Sequence, residues 1–366
     1  MNFTTPTATL LTISSIVEKV SGRNLTLANL NGVYVEASKG QVILRATNLD
    51  VAVEIKVPAK VEEDGVASIP GSMLSQILSN SYKGDSVSVV RKDGTLSIKT
   101  GDGLSTIKIL PDEDFPTLPS VVDGNKITLK AKDFIDGIAN VWHCASTSTI
   151  KPELASVYVY PDGKNLIFVA TDSFRLAEKK VAAQFTGEFD YMLIPSRNIP
   201  EIIKVLEIAE GEVELTFNDH QLSFTFDSVH LTTRLTDGVF PDYRQIIPKQ
   251  RVAEVTVLTK DLQQACKRTS MFSDKFNQVQ FSIQPSKKIC RVIAKNPDVG
   301  ESVTDLDAVI EGEELDISFN VKYISEVFQA LQADSVSLSF SGTAKPLVIK
   351  GVSNASFLYL VMPMNR

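Results

Sequence analysis

Three short stretches of this 366-residue chain repeat one another at a constant distance. They are Ala46-Thr47-Asn48-Leu49-Asp50, Ala170-Thr171-Asp172-Ser173-Phe174 and Ala294-Lys295-Asn296-Pro297-Asp298, and their starts lie 124 residues apart. A recurrence at one fixed period indicates a chain made of copies of one structural unit. The sequence therefore predicts three tandem copies of a unit of about 120 residues.

Two further markers keep nearly the same period. Ile69-Pro70-Gly71-Ser72, Ile194-Pro195-Ser196-Arg197 and Phe319-Asn320-Val321-Lys322 start 125 residues apart, as do Phe115-Pro116 and Phe240-Pro241. Proline-containing breaks in the pattern separate one copy from the next. The predicted domains are residues 1–122, 123–248 and 249–366.

Each copy carries the same order of predicted elements. Apolar residues at helical spacing predict one early helix and one later helix in every copy. Alternating stretches such as Val157–Tyr160 and Leu166–Val169, joined by the turn Asp162-Gly163, predict antiparallel strands. The predicted fold is α+β, with two helices packed on an antiparallel sheet in each copy. The predicted helices span residues 7–22, 71–80, 130–146, 196–208, 258–273 and 321–332.

Composition excludes several classes of protein. The 37 Lys and Arg residues are outnumbered by 44 Asp and Glu, a net charge of −7, which disfavours a protein that grips phosphates tightly. We expect a cytoplasmic protein, because the N-terminus lacks a signal-peptide pattern and no stretch approaches the roughly 20 apolar residues that span a bilayer.

Catalytic and metal-binding patterns are also missing from the sequence, so we expect no catalytic residue, metal or cofactor. Adjacent helical residues point about 100° apart. The pair His143-Cys144 therefore favours a surface histidine beside a buried cysteine over a nucleophile pair. The histidines and cysteines are His143, His220, His230, Cys144, Cys266 and Cys290.

The repeats and their motifs resemble the bacterial sliding clamps, the beta subunits of DNA polymerase III. The motifs that carry the resemblance are Ala170–Ala177, Phe240–Arg244 and Val361–Met364, with weaker matches at Phe319–Val321 and Lys275-Phe276. The resemblance covers the whole chain. It implies a head-to-tail homodimer that closes a ring, with helices lining the pore and sheets on the rim. It also implies duplex DNA threaded through the ring and a polymerase tethered there without catalysis.

The resemblance further implies a pocket for short linear peptides of the polymerase, the clamp loader, and repair and translesion polymerases. Methionine and leucine side chains form adaptable apolar grooves, and Arg175 offers a donor for a peptide carbonyl or carboxylate. For Leu360, a plain buried-strand role stays equally open. The matching residues are Leu154, Thr171, Phe174, Arg175, Leu176, Pro241, Ile246, Pro346, Leu360, Met362, Pro363 and Met364.

This chain departs from the family pattern near the pocket. The family often has Gly-His at Ser173-Phe174 and a second Arg at Gln245, and Asn365 shifts the terminal Arg366 by one place. A different peptide preference is therefore expected, with Phe174 either adding an aromatic contact or narrowing the groove.

Two more surfaces follow from the resemblance. Family matches place Ile107 against Met271-Phe272 of the other subunit, and charged side chains at such a rim would set register. An aromatic pair that often contacts DNA is replaced here by Pro152-Glu153. The implied dimer residues are Lys99, Ile107, Lys108, Met271, Phe272, Glu301 and Asp305, and the implied DNA-facing residues are Arg23, Lys151, Arg197 and Lys275.

Charge by segment fits a ring better than a phosphate-gripping protein. The six helical segments with short flanks sum to +4, and all other residues sum to −11. A mildly basic lining inside an acidic rim would let DNA slide.

The sequence leaves open two alternatives from other classes of protein. One is a hydrolase with paired carboxylates at Asp172 and Asp242, although Asn48 and Asn296 at the positions related to Asp172 indicate turn capping instead. The other is a repeat-built protein scaffold that never contacts DNA.

Overall fold

The computed structural model describes residues 1–22, 28–81, 84–101, 103–110, 115–119, 121, 124–183 and 189–364. Within these residues the helices are α1 (Thr7–Val20), α2 (Gly71–Ser79), α3 (Ala131–Ala139), α4 (Ile199–Leu206), α5 (Thr259–Ser270) and α6 (Val321–Glu326). The strands are β1 (Asn2–Pro6), β2 (Gly32–Ser38), β3 (Gln41–Thr47), β4 (Val51–Pro58), β5 (Lys60–Glu63), β6 (Gly65–Pro70), β7 (Ser86–Lys92), β8 (Thr95–Lys99), β9 (Leu104–Lys108), β10 (Asn125–Lys130), β11 (Ser156–Asp162), β12 (Asn165–Thr171), β13 (Arg175–Ala182), β14 (Met192–Pro195), β15 (Glu212–Phe217), β16 (Gln221–Phe226), β17 (Val229–Arg234), β18 (Ala253–Leu258), β19 (Gln278–Gln284), β20 (Ile289–Asn296), β21 (Gly300–Leu306), β22 (Ala308–Gly312), β23 (Leu315–Asn320), β24 (Ser335–Phe340), β25 (Leu347–Gly351) and β26 (Asn354–Val361).

The chain groups into two compact units. Unit one comprises Met1–Ile135, Gln184–Phe189 and Arg197–Leu235, and unit two comprises Asp136–Ala183, Asp190–Ser196 and Thr236–Arg366. These units do not follow the predicted copies, because consecutive copies share sheets. In unit one, β4 of the first copy pairs with β17 of the second, and in unit two β13 of the second copy pairs with β26 of the third.

Each unit contains a large and a small antiparallel sheet among its described residues. In unit one the strand orders are β10-β15-β16-β17-β4-β3-β2-β6 and β5-β1-β7-β8-β9. In unit two they are β14-β11-β12-β13-β26-β25-β24-β18-β22 and β21-β20-β19-β23. The prediction of helices packed on antiparallel sheet is confirmed, since α1 packs on α2, β3 and β4, and α5 packs on α6, β20 and β21.

Helical periodicity explains the buried faces. Helix α1 begins after Pro6 and buries Leu10, Ser14 and Val17, which share one face at spacings of four and three. Helix α5 buries the predicted stripe Leu262, Ala265, Cys266 and Thr269. Both helices therefore present an apolar stripe to a sheet and a polar face away from it.

All six predicted helices are shorter in the structure, three of them by five residues or more. Helix α3 ends at Ala139, where the side-chain amide of Asn140 bonds the carbonyl oxygen of Asp136, and a 3₁₀ turn follows. Helix α4 starts late because Pro200, which lacks an N–H group, occupies its first turn. Helix α6 tightens into a 3₁₀ turn, Val327–Gln329, which ends the predicted segment early.

A glycine sets one close approach in unit two. A Cβ at Gly137 would lie 2.3 Å from the ring of Phe168, so only glycine lets α3 come this near to β12. The core of the unit also holds Phe281, Phe319 and Phe340, whose ring centroids are 6.0–6.3 Å apart. Phe281 and Phe319 belong to the small sheet and Phe340 to the large sheet, so these ring contacts join the two sheets of unit two.

Candidate functional site

The stretch that repeats along the sequence is a capped turn between two strands. In unit two the Asp172 carboxylate accepts hydrogen bonds from the backbone N–H groups of Phe174 and Arg175, at 2.9 and 3.0 Å. In unit one the Asn48 side chain does the same for Asp50 and Val51, at 3.0 and 2.7 Å. The predicted turn capping is therefore confirmed.

The two turns also have a residue with a positive φ angle at the same position. Ser173 has φ of 77° and Leu49 has φ of 76°, both in the left-handed region that non-glycine residues rarely adopt. In the third copy Pro297 stands at this position, and the side chain of Asn296 accepts the backbone N–H of Asp298, at 3.0 Å. The carboxylate of Asp172 thus has a structural partner at each oxygen, which leaves the hydrolase alternative without its first acid.

Arg175 follows this turn and holds three elements of unit two together. Its Nε lies 3.0 Å from Oδ2 of Asp172, and its Nη2 donates to the carbonyl oxygen of His143 at 2.8 Å. Its Nη1 is paired with Glu326, and the guanidinium lies 4.7 Å above the ring of Tyr323. The side chain is 12% exposed, so the charge expected to hold a peptide is already satisfied inside the fold.

An apolar cluster lies beside Arg175 in the same unit. Three predicted pocket residues belong to it and are buried: Leu154 at 8%, Leu176 at 1% and Leu360 at 2% exposed. Leu360 lies opposite Leu176 in the pairing of β26 with β13. It therefore has the role of a buried strand residue, one of the two roles left open by the sequence. The cluster members are Leu154, Ile167, Val169, Leu176, Leu193, Phe240, Tyr243, Val348, Leu358 and Leu360.

The remaining predicted pocket residues differ in exposure. Phe174 is 61% exposed and Ile246 is 47% exposed, so both offer apolar surface to solvent. Thr171 is buried, and its hydroxyl donates to the carbonyl oxygen of Arg175 at 2.6 Å. Pro241 is exposed, and Pro346 is buried immediately before β25.

The chain leaves the large sheet of unit two after Val361. The N–H of Met362 donates to the carbonyl oxygen of Phe174, and the N–H of Met364 donates to that of Ser318, both at 2.8 Å. Met362, Pro363 and Met364 are half-buried rather than packed in a core. Two methionines are therefore held by their backbone while their side chains stay adaptable.

Sequence reasoning missed a polar network at the edge of the cluster. The hydroxyl of Tyr243 bonds the carboxylate of Glu178 and lies 2.7 Å from the hydroxyl of Tyr160, to which Arg244 donates at 2.8 Å. Burial first, and then the bond to Glu178, raises the pKa of Tyr243 far above its ordinary value. The signal was present in the motif Phe240–Arg244, where an aromatic residue stands beside an arginine.

The predicted dimer residues of unit one lie at the edge of its small sheet. On the edge strand β9, Leu104 and Lys108 are exposed, whereas Ile107 is only 5% exposed because alternate side chains of a strand face opposite sides. The expectation for Ile107 thus differs from the structure: its side chain packs inward, and the exposed apolar residue is Leu104, at 69%. Lys99 is exposed and pairs in register with Leu104.

The predicted dimer residues of unit two are mostly accessible. Met271 is 66% exposed at the end of α5, and Phe272 beside it is half-buried. On the edge strand β21, Glu301 lies 3.0 Å from Lys295 and Asp305 lies 2.6 Å from Arg291. Both carboxylates are thus paired across the strand within their own sheet.

The predicted DNA-facing residues have varied surroundings. Arg23 lies outside the described residues. Lys151 is exposed, and Lys275 lies with Nζ 5.1 Å from the ring centroid of Phe276. Arg197 pairs with Asp50, Nη2 to Oδ2 at 3.3 Å.

Two lysines that sequence reasoning missed flank a cavity of about 420 Å³ in unit one, Lys19 and Lys204. Glu201 also lines it, and burial raises the pKa of this carboxyl above its usual range. Helical spacing on α1 and α4 could have pointed to these residues.

The surroundings of the histidine, cysteine and acidic side chains bear on metal and thiol chemistry. In the part of the chain that the structure describes, no three His, Cys, Asp or Glu side chains are grouped so as to hold a metal ion. Burial raises the pKa of each thiol to about 12: Cys144, Cys266 and Cys290. His143 is half-buried and not on the surface as expected, with its ring stacked near that of Tyr359.

Among the described helices, none is long and apolar enough to cross a membrane.

Similarity to known proteins covers almost the whole chain. Models of the DNA polymerase III beta subunit match in order: the N-terminal domain at residues 1–119, the central domain at 128–242 and the C-terminal domain at 244–365. A beta sliding clamp of Staphylococcus aureus (strain Mu50) is 26% identical, over 96% of this chain and 96% of the relative. One from Synechococcus elongatus is 28% identical, over 90% of this chain and 89% of the relative.

Solved structures agree with this similarity. The DNA polymerase sliding clamp of Bacillus subtilis aligns with a TM-score of 0.91 at 25% identity, over 100% of this chain and 99% of that one. A sliding clamp of Pseudomonas aeruginosa bound to griselimycin aligns with a TM-score of 0.92 at 25% identity, over the full length of both chains. The chain belongs to the DNA polymerase III beta subunit family, the bacterial sliding clamps.

Proposed function

We propose that two copies of this chain close head to tail into a ring around duplex DNA in the cytoplasm and tether the replicative polymerase to it. The family consists of non-catalytic processivity subunits of DNA polymerase III. One observation carries the proposal: three domains of that subunit match consecutively from residue 1 to residue 365. The proposed domains are 1–122, 123–248 and 249–366.

A ring holds DNA by topology, so it needs no strong phosphate contacts. Each phosphate contact would add a salt-dependent attraction that opposes sliding. The net charge of −7 fits this requirement, as does the pairing of Arg197 with Asp50. Tethering replaces repeated bimolecular association with a high local concentration, which raises processivity without chemistry.

Partner proteins are proposed to bind unit two through short linear peptides. The buried cluster around Leu176 and Leu360 forms an apolar floor, and Ile246 and Phe174 add exposed apolar surface. The methionines at 362 and 364 would adapt to different peptides. Arg175 would position the residues of this site and not bind the peptide itself, since its guanidinium is paired with Asp172 and Glu326.

The subunit contact is proposed to join the edge strand β9 of one subunit to the end of α5 and the edge strand β21 of another. Leu104 and Met271 supply exposed apolar surface, at 69% and 66%. Lys99 and Lys108 would face the acidic side chains of β21, Glu301 and Asp305 among them, and set register and association rate.

The decisive experiment measures retention on DNA. The protein is loaded by a clamp loader onto nicked circular duplex DNA and followed by gel filtration before and after the circle is cut once. We expect retention on the circle and loss within minutes of linearisation. Equal retention on both forms would show ordinary DNA binding, and no retention on either form would favour a scaffold that never contacts DNA.

A further inference from the structure

Unit one contains a cavity of about 210 Å³ that the clamp function does not use. It lies between the capped turn around Asn48, the segment Pro116–Pro119 and the end of β17. We propose that this cavity is a second peptide site, one that takes an extended partner segment with an acidic residue next to a small aliphatic residue. The proposal does not rest on ring formation, since every lining residue belongs to one unit of one chain.

The cavity is built from the same elements as the peptide pocket proposed for unit two. In unit one Ala52 pairs with Thr232, and Val51 pairs with Thr233. In unit two the pairs are Leu176 with Leu360 and Arg175 with Val361. Both pairings follow a turn capped in the same way, so Arg234 occupies the place that Met362 holds in unit two.

The loop that closes each pocket is also anchored alike. Phe115 stacks on Tyr34 with ring centroids 4.9 Å apart, and Phe240 stacks on Tyr158 at 4.8 Å. Pro116, which follows the phenylalanine of unit one, lines the cavity, and Pro241 follows the phenylalanine of unit two in the sequence. In addition, the hydroxyl of Thr232 donates to the carbonyl oxygen of Pro119 at 3.2 Å and holds the loop on the sheet.

The chemistry of the cavity differs from that of its counterpart. Its aliphatic walls are supplied by Leu49, which is 49% exposed, by Ala52, and by Leu118. A volume of about 210 Å³ lies below the roughly 300–1,000 Å³ typical of small-molecule sites, which suits one or two short side chains better than a cofactor. The cavity therefore suits a small aliphatic group.

The charge at the mouth of the cavity favours a ligand with an acidic residue next to the aliphatic one. Arg234 is exposed, and its side chain makes no hydrogen bond or ion pair with the described residues. Asp50 does not neutralise it, because that carboxylate is paired with Arg197 and only its carbonyl oxygen contacts Arg234, through the backbone N–H at 2.9 Å. An available guanidinium binds a carboxylate with two parallel hydrogen bonds, so a ligand carboxylate is the complementary group.

The test uses two acetylated pentapeptide amides, Gly-Asp-X-Gly-Gly and Gly-Lys-X-Gly-Gly, in which X is the photoreactive leucine analogue. The full-length protein is irradiated with each peptide, and the adducts are mapped by mass spectrometry. We expect the acidic peptide to label residues 47–52, 116–119 or 221–234. Arg234→Glu should weaken this labelling roughly tenfold and make the lysine peptide the better ligand.

Two further variants keep the result interpretable. Lys350→Glu reverses an exposed charge in unit two and should leave the labelling unchanged. Leu49→Asn removes an apolar wall at a position whose positive φ asparagine tolerates, and should also reduce labelling if Arg234→Glu fails to fold. Labelling confined to the pocket of unit two, or scattered labelling that ignores both variants and the peptide charge, would overturn the proposal.

Discussion

The guanidinium of Arg175 lies 3.0 Å from the carboxylate of Asp172, Nε to Oδ2, with the two side chains 12% and 15% exposed. The same carboxylate caps the turn through its other oxygen, Oδ1, at 3.0 Å from the backbone nitrogen of Arg175. Asp172 therefore caps its turn and also forms an ion pair with Arg175. Asn48 and Asn296 cap the turns of the first and third copies without a charge. A substitution can divide these roles.

Asp172→Asn should keep the turn and remove only the ion pair. We expect a loss of about 1 kcal/mol in the free energy of unfolding of unit two, because Glu326 still pairs with Arg175. Urea unfolding followed through Trp142, the single tryptophan, measures this change. The matched control is Asp162→Asn, which breaks an exposed pair with Arg244 at 3.7 Å and should have almost no effect. Equal losses in both variants would contradict the assignment.

An ion pair that involves a buried lysine should contribute more to the free energy of unfolding than the pair of Asp172 with Arg175. Lys179 is 6% exposed and pairs with Asp136 on α3, Nζ to Oδ2 at 2.9 Å. Asp136→Asn should destabilise unit two by about 2–3 kcal/mol, because it leaves a charged group buried without its counterion. The same urea titration checks this, with the half-exposed Asp133→Asn on the same helix as control.

The double variant Asp136→Asn with Lys179→Met separates charge from packing. It should recover most of the lost stability, since an apolar chain of similar length needs no counterion. If the double variant is as unstable as Asp136→Asn alone, the loss comes from the hydrogen bond between Asp136 and Asn140 and not from the lysine.

The repeat could be predicted from sequence because its markers carry local physics. The turn at 170–174 needs a capping side chain, and the helices need apolar residues at helical spacing, so both leave a pattern that recurs every copy. The sharing of sheets between copies left no such pattern. Pairing of β13 with β26 joins residues far apart in the sequence, and either strand alone could be an edge strand.

Motif matching could name candidate site residues, but it could not give their burial or their partners in the fold. Motif matching selected Arg175 and Ile107, but it could not show that Glu326 neutralises the first or that strand alternation turns the second inward. Tyr243 and Glu178 were missed because their bond joins separate elements, β13 and the 3₁₀ turn Tyr243–Ile246. Such contacts depend on tertiary packing, which periodicity does not encode.

The buried thiols should be unreactive in the folded protein. Burial raises the pKa of Cys144, Cys266 and Cys290 to about 12, so almost no thiolate is present at pH 8. We expect no reaction with a chromogenic disulfide reagent within minutes, and three equivalents of reaction in 8 M urea. A fast native reaction at any of the three positions would show that the unit around it opens readily.

The proposed subunit contact predicts that one exposed leucine controls assembly. Leu104→Asp places a charge in a site that would be apolar in the dimer, and we expect the dissociation constant to rise roughly a hundredfold. Analytical ultracentrifugation across a concentration series measures it. Val309→Asp is the control, because Val309 is equally exposed, at 67%, but lies on the edge strand β22. An unchanged constant for Leu104→Asp would exclude β9 from the interface.

His143 should make the stability of unit two fall in mild acid. Burial first, and then repulsion from Arg175, lowers the pKa of this imidazole to about 4 from an ordinary value of 6.5. Between these two pH values the unfolded chain binds the proton and the folded chain does not, so the free energy of unfolding decreases as pH falls from 6.5 towards 4. His143 alone should contribute a loss of about 2 kcal/mol between pH 7 and pH 5.

The variant that isolates this loss is His143→Gln, which is neutral at both pH values and keeps the backbone carbonyl that Arg175 contacts. Urea unfolding at pH 7 and pH 5, followed through Trp142, should show a smaller pH dependence in the variant than in the parent protein. Carboxylates that titrate in the same range are common to both proteins and cancel in the difference, as does His230, whose pKa burial also lowers. Identical pH dependence in the two proteins would mean that the imidazole is protonated in the folded state despite its burial.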